Sequence, residues 1–489
     1  MSNILFAQGR FRPQLPTVMG NVDYLELEHQ LKRIDEILRN SGTERDFMER
    51  SLIYWARRIN LPLEKIKKKT RINFQKHSKQ ALRCNIARTL LGESVRDFST
   101  HLAGMPLLHW FCDMDQWGVV QVASKSSIDR YSRWLPEEEM RGVISGLLQS
   151  GDVLGLKKPL DLEAYFLDTT CVKTHIHFPV DWVLLRDAVR TLMKGVILIR
   201  KQGLKHRMEE PEVFLTRINR LAIEMTHTRR KKNARSEKKR VLRCMKKLIG
   251  VVGGHARRYR DLLDGSWKET VWTRPEAEQV LKRMDGVLEQ LPQAVKQAHE
   301  RIIGERRVAN ADKILSLYER ETNVITRGKW GVEVEFGNTL LLGETSEGII
   351  VDWQLWKESA PADSRMLQES LQRVKTLLGV EIKEICGDRG FDSKGNREYL
   401  KEGKIYNGIC PRAGNRLEQQ MGEEVFVKLQ KRRSQTEGRI GIFKNNFLGK
   451  PLRVKGFENR RLAVVWAVLT HNLWVLARLA QVQVEIKAA

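Results

Sequence analysis

The chain has 489 residues, and its 86 Lys and Arg against 60 Asp and Glu leave a formal net charge of +26. That length exceeds one ordinary domain and predicts two or three structural units with at least one sizeable core. The apolar fraction of 41% is that of a globular protein, and the charge points to a polyanionic partner, nucleic acid ahead of a membrane surface.

Residues 1–20 read as an N-terminal tail, and MSNILFAQGRFRPQ lacks the apolar core of a signal peptide. Residues 21–160 form a helical region, with apolar residues at three-to-four spacing in YLELEHQLKRIDEILRN and SLIYWARRINLPLEKIKKK. Within it, GESVRDFSTHLAGMPLLHWF and SKSSIDRYSRWLP have the rhythm of a helix-turn-helix unit. Ser126 or Ser127 would cap a helix presenting Lys125, Arg130 and Arg133 to DNA.

Residues 161–179 hold a short strand, EAYFLDTT, that ends on Asp168. Residues 180–310 return to helix as an insertion after that strand. Between 229 and 247 lie eleven Lys or Arg against one Glu, a density that either solvates a helix face or grips phosphates. From 311 to 460 the period changes: TNVITRGKWGVEVEFGNTLLLGE and GIIVDWQLWK read as a meander of strands. A helix from Asp363 to about Leu378, the strand EIKEICGD, a helix in NREYLKEG, the strand KIYNGICPR and a helix over roughly 423–447 complete the order. Residues 461–489 form the C-terminal helix, whose apolar run is interrupted by His471 and Asn472 and so reads as packed against protein rather than spanning a membrane.

An α/β mixed sheet of this order, flanked by helices, places Asp168 on its first strand and Asp388 at the carboxyl end of its fourth, side by side if those strands are neighbours. Two adjacent carboxylates repel unless a cation is shared, and few hard oxygen ligands completed by water suit Mg²⁺. The last helix supplies a third acid, Glu437, on one face with Arg433 and Lys444. An i,i+4 ion pair with Arg433 is the plain account of Glu437, worth roughly 0.2–0.5 kcal/mol.

The stretches LDTT at 167–170, CGDRGFDS at 386–393 and RRSQTEGRIGIFK at 432–444 resemble the three catalytic motifs of bacterial insertion-sequence transposases of the DDE class, whose catalytic domain is ribonuclease-H-like. The last is similar to that group's Tyr-x2-Arg-x3-Glu-x6-Lys signature, with Gln430 standing where the Tyr would be. The resemblance implies that Asp168, Asp388 and Glu437 bind two Mg²⁺ ions, replaceable by Mn²⁺, for cleavage at transposon ends and strand transfer into target DNA. It implies phosphate contacts from Arg433 and Lys444, with which the neighbouring Arg439 and Arg389 are counted, and a homodimer or higher assembly on double-stranded DNA in the bacterial cytoplasm, associated with the nucleoid. Two alternatives stay open: a metal-dependent nuclease of the same fold without strand transfer, and a DNA-binding relative without catalysis.

Other residues are expected to have plainer duties. The six cysteines lack CxxC spacing, against a zinc ribbon or a disulfide framework. His175 and His177 have no nearby partner ligands and are expected at the surface. Asp392 is expected to cap the helix near Ser393, and Asp181 and Asp187 to serve helix starts. Asp352 and Asp363 are assigned to turns or caps, and Trp330, Trp353 and Trp356 to the core or to stacking on a base. Gly253 and Gly254 do not make a phosphate loop.

Overall fold

The structure is a computed structural model and describes residue 4 and residues 14–116, 119–228, 232–329, 332–449 and 451–479. Helices α1 (Val22–Asn40), α2 (Thr43–Arg58), α3 (Lys68–Leu90), α4 (Val95–Gly104) and α5 (Pro106–Phe111) come first, followed by a two-residue ribbon, β1 (Asp115–Gln116) and β2 (Val119–Val120). Then come α6 (Lys125–Tyr131), α7 (Glu137–Gln149) and the long strand β3 (Ala164–Lys173). Helices α8 (Asp181–Lys201), α9 (Pro211–His227), α10 (Ala234–Ser266) and α11 (Arg274–Ile302) precede strands β4 (Asn323–Lys329), β5 (Val332–Glu344) and β6 (Ile350–Leu355). The chain ends with α12 (Asp363–Leu378), β7 (Glu384–Cys386), α13 (Lys394–Glu402), β8 (Tyr406–Asn407), α14 (Gly414–Met421), α15 (Glu424–Ile442) and α16 (Phe457–Arg478). This is a mixed α/β protein whose sheet is flanked by helices.

The chain divides into two compact units. The first is residues 1–172, 339–356 and 360–489, and the second is 173–338 and 357–359. In the first unit the helical region 21–160 does not stand apart from the sheet. Leu31, Leu82 and Val143 of the N-terminal helices belong to one apolar core with Leu341 and Ile385 of the sheet and Val465 of α16. Buried Arg83 of α3 ties that region together by donating to Asp35 of α1 at 2.7 Å and to the Phe111 carbonyl at 2.9 Å, and by pairing with Glu44 of α2. Removing Arg83 would leave the buried Asp35 carboxylate with Arg39 alone and Glu44 with Lys79 alone, and breaking a buried ion pair typically costs about 3–5 kcal/mol.

The sheet has β5 next to β3, β3 next to β7 and β7 next to β8, with β6 on the other side of β5. β3 and β7 run parallel, as do β7 and β8, while β5 and β6 are antiparallel. The first and fourth strands of the expected order are therefore neighbours. The expected strands are present but the later ones are short, three residues for β7 and two for β8.

Behind β3, Tyr165 shares a hydrogen bond of 2.6 Å with Ser370 of α12, which donates to fully buried Asp352 of β6 at 2.7 Å. Arg373 donates twice to the same carboxylate, at 2.9 and 2.7 Å. Asp352 thus holds α12 to β6, a correction to its assignment to turn duty. Gly343 is what lets Tyr165 lie there: a Cβ at that position would come 1.8 Å from the Tyr165 hydroxyl.

α16 is buried along most of its length, and Asn472 explains one polar interruption. Its amide donates to the Ile350 carbonyl at 2.7 Å and accepts from the Ile350 N–H at 2.9 Å, pairing with β6 as another strand would. No helix among the described residues is long and apolar enough to cross a membrane.

The second unit has its own core, formed where α8, α9, α10 and α11 bury residues such as Leu192, Ile218, Met245 and Met284. Asp181, the first residue of α8, is buried and accepts from Gln297 at 2.9 Å and Arg301 at 3.0 Å of α11. Asp187 lies within α8 rather than at its start and pairs with Arg186. β4 pairs antiparallel with the first half of β5.

Candidate active site

The candidate site lies in the first unit, on the sheet face covered by α15. Side chains alternate along a strand, so Asp168 and Thr170 share a face with Ala164 and Phe166, and Asp388 follows the parity of Cys386. That face is identified by packing: Ala164, Phe166 and Cys386 form an apolar cluster with Leu429 of α15, and the Arg432 guanidinium lies 4.6 Å from the Phe166 ring centre.

The parallel register aligns Phe166 with Cys386. Two residues further along stand Asp168, in the middle of β3 rather than at the strand end expected for it, and Asp388, just past the last residue of β7. Here β7 ends and the chain turns, with Asp388 Oδ1 accepting from the Gly390 N–H at 2.8 Å. Asp168 Oδ1 accepts from the Thr169 N–H at 2.7 Å. Neither carboxylate has a further hydrogen bond among the described residues, so each keeps one oxygen available.

Electrostatics record the proximity. The Asp168 carboxyl is pushed up to about 6, first by burial and then by the negative charge of Asp388. The Thr169 N–H and the Arg433 guanidinium pull it down, and Glu437 adds the smallest upward push. A half-buried carboxylate raised by burial and by a neighbouring carboxylate's charge is one whose ionised form a cation would favour.

The basic residues of α15 divide between two tasks. Arg433 lies near enough to Asp168 and Cys386 for its charge to favour the ionised form of both, and among the described residues its buried Nε has no hydrogen-bond partner. Arg439 instead faces the β5–β6 turn, donating to the Ser346 carbonyl at 3.3 Å and lying 4.0 Å from Glu344. It packs over Gly348, where a Cβ would come 2.1 Å from its Nη1.

Lys444 reaches the site by another route. α15 ends at Ile442 and continues as a π turn over Phe443–Leu448, a widening that changes the direction of Lys444 relative to a continued α-helix. Lys444 Nζ donates to Thr170 Oγ1 at 3.0 Å. Gln430 donates to the Gly408 carbonyl at 2.7 Å and contacts the Cys386 sulfur at 3.5 Å, fastening α15 to the ends of β7 and β8.

Glu437 is exposed, and it makes no ion pair with Arg433 among the described residues. Nor, among those residues, is any group of three or more His, Cys, Asp or Glu spaced to hold a metal ion. The structure therefore brings Asp168 and Asp388 together, with Arg433 and Lys444 beside them and Glu437 at longer electrostatic range. Arg389 is exposed and its Nε contacts the Cys410 sulfur at 3.4 Å.

Arg130 and Arg133 sit at the end of α6, where Arg130 donates to Ser127 at 3.1 Å and Arg133 pairs with Asp129. The cap of α6 is Ser124, accepting from the Ser127 N–H, rather than Ser126 or Ser127.

Other expectations need correction here too. Ser393, not Asp392, caps α13; Asp392 binds Arg397 and the Arg412 N–H and is not part of the acidic pair. Its carboxyl is raised by burial but ends below its ordinary value because those donors outweigh the burial. Asp363 opens α12, but a Cβ at Gly390 would come 2.5 Å from its Oδ2 and 2.9 Å from Asp388 Oδ1. Asp363 thus stands by the Asp388 turn, and only the short distance from strand meander to helix start hinted at it.

Trp353 is core, donating to Glu137 at 3.0 Å with Arg141 over its ring at 4.1 Å. Trp356 is half-buried, and Trp330 lies outside the described residues. His175 and His177 are exposed, and all six cysteines are free. Comparison with family models, with curated proteins and with solved structures found no match to this chain.

Proposed function

We propose that the protein is a DDE transposase with a ribonuclease-H-like catalytic domain, cleaving DNA at the ends of a mobile element and joining those ends to target DNA. The observation that carries this reading is the pair formed by Asp168, within β3, and Asp388, just past the end of the adjacent parallel strand β7, with the Arg433 guanidinium beside them. The topology supports it, since the first strand lies between a meander and two further parallel strands.

The residues suit a divalent ion: two carboxylates with one oxygen each available, and a charge repulsion that Mg²⁺ would remove. Asp168 and Asp388 would hold it, with Glu437 as the third carboxylate. When bound, Mg²⁺ supplies activation of water or a DNA 3′-hydroxyl and stabilisation of the leaving oxygen. Arg433 would donate its Nε–H to a phosphate oxygen and neutralise charge growing there. Lys444, steadied by Thr170, would hold a second phosphate oxygen. Gln430 is committed to Gly408 and Cys386, so the phosphate contact expected from a Tyr at that position does not arise from it. The basic charge would bring double-stranded DNA to this face from solution.

The test is strand joining in vitro, with Mg²⁺, on duplex DNA taken from the flanks of the coding sequence. Joined products that vanish with Asp388→Asn support the reading, while cleavage without joining supports the nuclease alternative. One observation favours the non-catalytic relative: Glu437 is exposed and the three carboxylates do not form a single group. Cleavage that is equal in wild type and Asp388→Asn, or absent from both while DNA is still bound, would decide for that alternative.

A further inference from the structure

We propose that the outward face of α10, in the helical second unit, is a binding surface for the phosphate backbone of duplex DNA. This rests on the reading of DNA as the partner but not on any catalytic role.

α10 spans 33 residues, a rod of about 50 Å. Its inward face is apolar, with Leu242, Met245, Ile249, Val252, Ala256 and Tyr259 buried. Opposite that stripe, at intervals of three and four residues, stand Arg243, Lys247, Gly250, Gly254 and Arg257, with Arg258 next to the last. No Asp or Glu occurs between Glu237 and Asp261. Near the helix start, Arg235 and Lys239 are paired with Glu305, and Arg240 with Glu224 and Glu237. Arg243, Lys247, Arg257 and Arg258 are exposed and have no acidic partner among the described residues.

A solvated helix face normally intersperses acids with bases, because unrelieved like charge at i,i+4 spacing is destabilising. Here four cations stand without relief in two groups, Arg243 with Lys247 and Arg257 with Arg258, whose near edges are about 15 Å apart along the axis. A major groove is about 12 Å wide. The spacing matches two phosphate rows on either side of a groove, with the glycine segment crossing between them.

The glycines fit the same partner. Glycine weakens a helix interior, and packing does not require it here. A Cβ at Gly250 would meet nothing within 4 Å, and one at Gly254 would meet only the tip of Arg258, at 3.9 Å. Their absence of side chain leaves the middle of the stripe open to a close backbone approach.

The experiment measures binding of the full chain to a random-sequence duplex of about thirty base pairs by fluorescence anisotropy across salt concentrations. The wild type is compared with the variant Arg243→Gln, Lys247→Gln, Arg257→Gln, Arg258→Gln. Neutralising four phosphate contacts should reduce the magnitude of the log–log salt slope by about 3.6 and weaken binding at low salt by orders of magnitude. A second variant, Gly250→Leu with Gly254→Leu, should have an unchanged or raised melting temperature but bind the duplex at least tenfold more weakly.

An unchanged slope in the four-site variant, with wild-type binding strong, would overturn the proposal while leaving DNA as the partner. No duplex binding by the wild type would overturn both. Equal loss of binding to vesicles of anionic lipid, with duplex binding retained, would assign the face to a membrane and overturn it as well.

Discussion

Lys444 Nζ donates to Thr170 Oγ1 at 3.0 Å, joining the π turn after α15 to the strand position two residues beyond Asp168. The contact fixes a cation beside the acidic pair through a residue that is itself buried in the sheet. Thr170→Val keeps the shape and removes the acceptor. It should change stability by only about 1 kcal/mol and slow Mg²⁺-dependent DNA cleavage roughly tenfold, against about a hundredfold for Lys444→Ala. If the hydroxyl acts through the lysine, the double variant should be no slower than Lys444→Ala alone, which initial cleavage rates with melting temperatures as controls would establish.

Asp168 has a stability consequence that is independent of catalysis. Its carboxyl is raised from 3.8 to about 6, so its contribution to stability is fully present below about pH 3.8 and is lost as the pH rises through about 6. Above that range the charged form costs at most ~3 kcal/mol. Asp168→Asn should therefore be more stable than wild type at pH 7.5, and the difference should shrink towards zero near pH 4. Denaturant melts at several pH values would measure it. Mg²⁺ should narrow the gap by stabilising the wild type alone.

His471 gives the opposite slope. Burial lowers it from 6.5 to about 4, outweighing the hydrogen bond with Asn472, and Arg439 lowers it further. Among the described residues its Nδ1 has no hydrogen-bond partner, and the rings of Phe443, Phe447 and Trp474 pack against it. A base whose pKa is depressed in the folded state contributes stability above about pH 6.5 and loses it as the pH falls through about 4. The loss is at most ~3 kcal/mol. His471→Leu should flatten acid destabilisation over that window, read as the pH dependence of the variant's denaturation midpoint.

Gly343→Ala tests the packing that sets the strand carrying Asp168. A methyl group there would press on the Tyr165 hydroxyl, and neither backbone has room to yield without disturbing the Tyr165, Ser370 and Asp352 hydrogen bonds. Destabilisation of about 2 kcal/mol or more is expected. Gly343→Ala with Tyr165→Phe should recover part of it, as denaturant titration of the single and double variants would show.

The acidic pair was legible in the sequence because both carboxylates close short apolar runs, and a strand's two-residue period fixes which face they take. What failed to show was the choice among equivalent donors. SKSS offers several serines for one cap, and only the helix start selects Ser124. Asp352 looked like a turn or cap residue, yet β6 is buried on both faces, and Ser370 and Arg373 of α12 bind its carboxylate there. Asn472 and Asp363 were unreadable for a related reason: their partners, Ile350 and the Asp388 turn, are distant in sequence or lie across a loop. Arg439 and Arg433 look alike along the chain, but six residues of helix turn the first towards Glu344 and the second towards Asp168. The share of 21–160 in the sheet's core was hidden as well, since periodicity identifies an apolar face but not what covers it.

Manganese binding tests the central claim most directly. Mn²⁺ titrated into the wild type bound to a short duplex, followed by the electron paramagnetic resonance signal of the free ion, should show up to two bound ions. Asp168→Asn and Asp388→Asn should each lose them while still binding the duplex. Equal binding of Mn²⁺ by wild type and both variants would mean that the carboxylates of Asp168 on β3 and Asp388 just past β7 do not hold a cation, and the proposed chemistry would have no site.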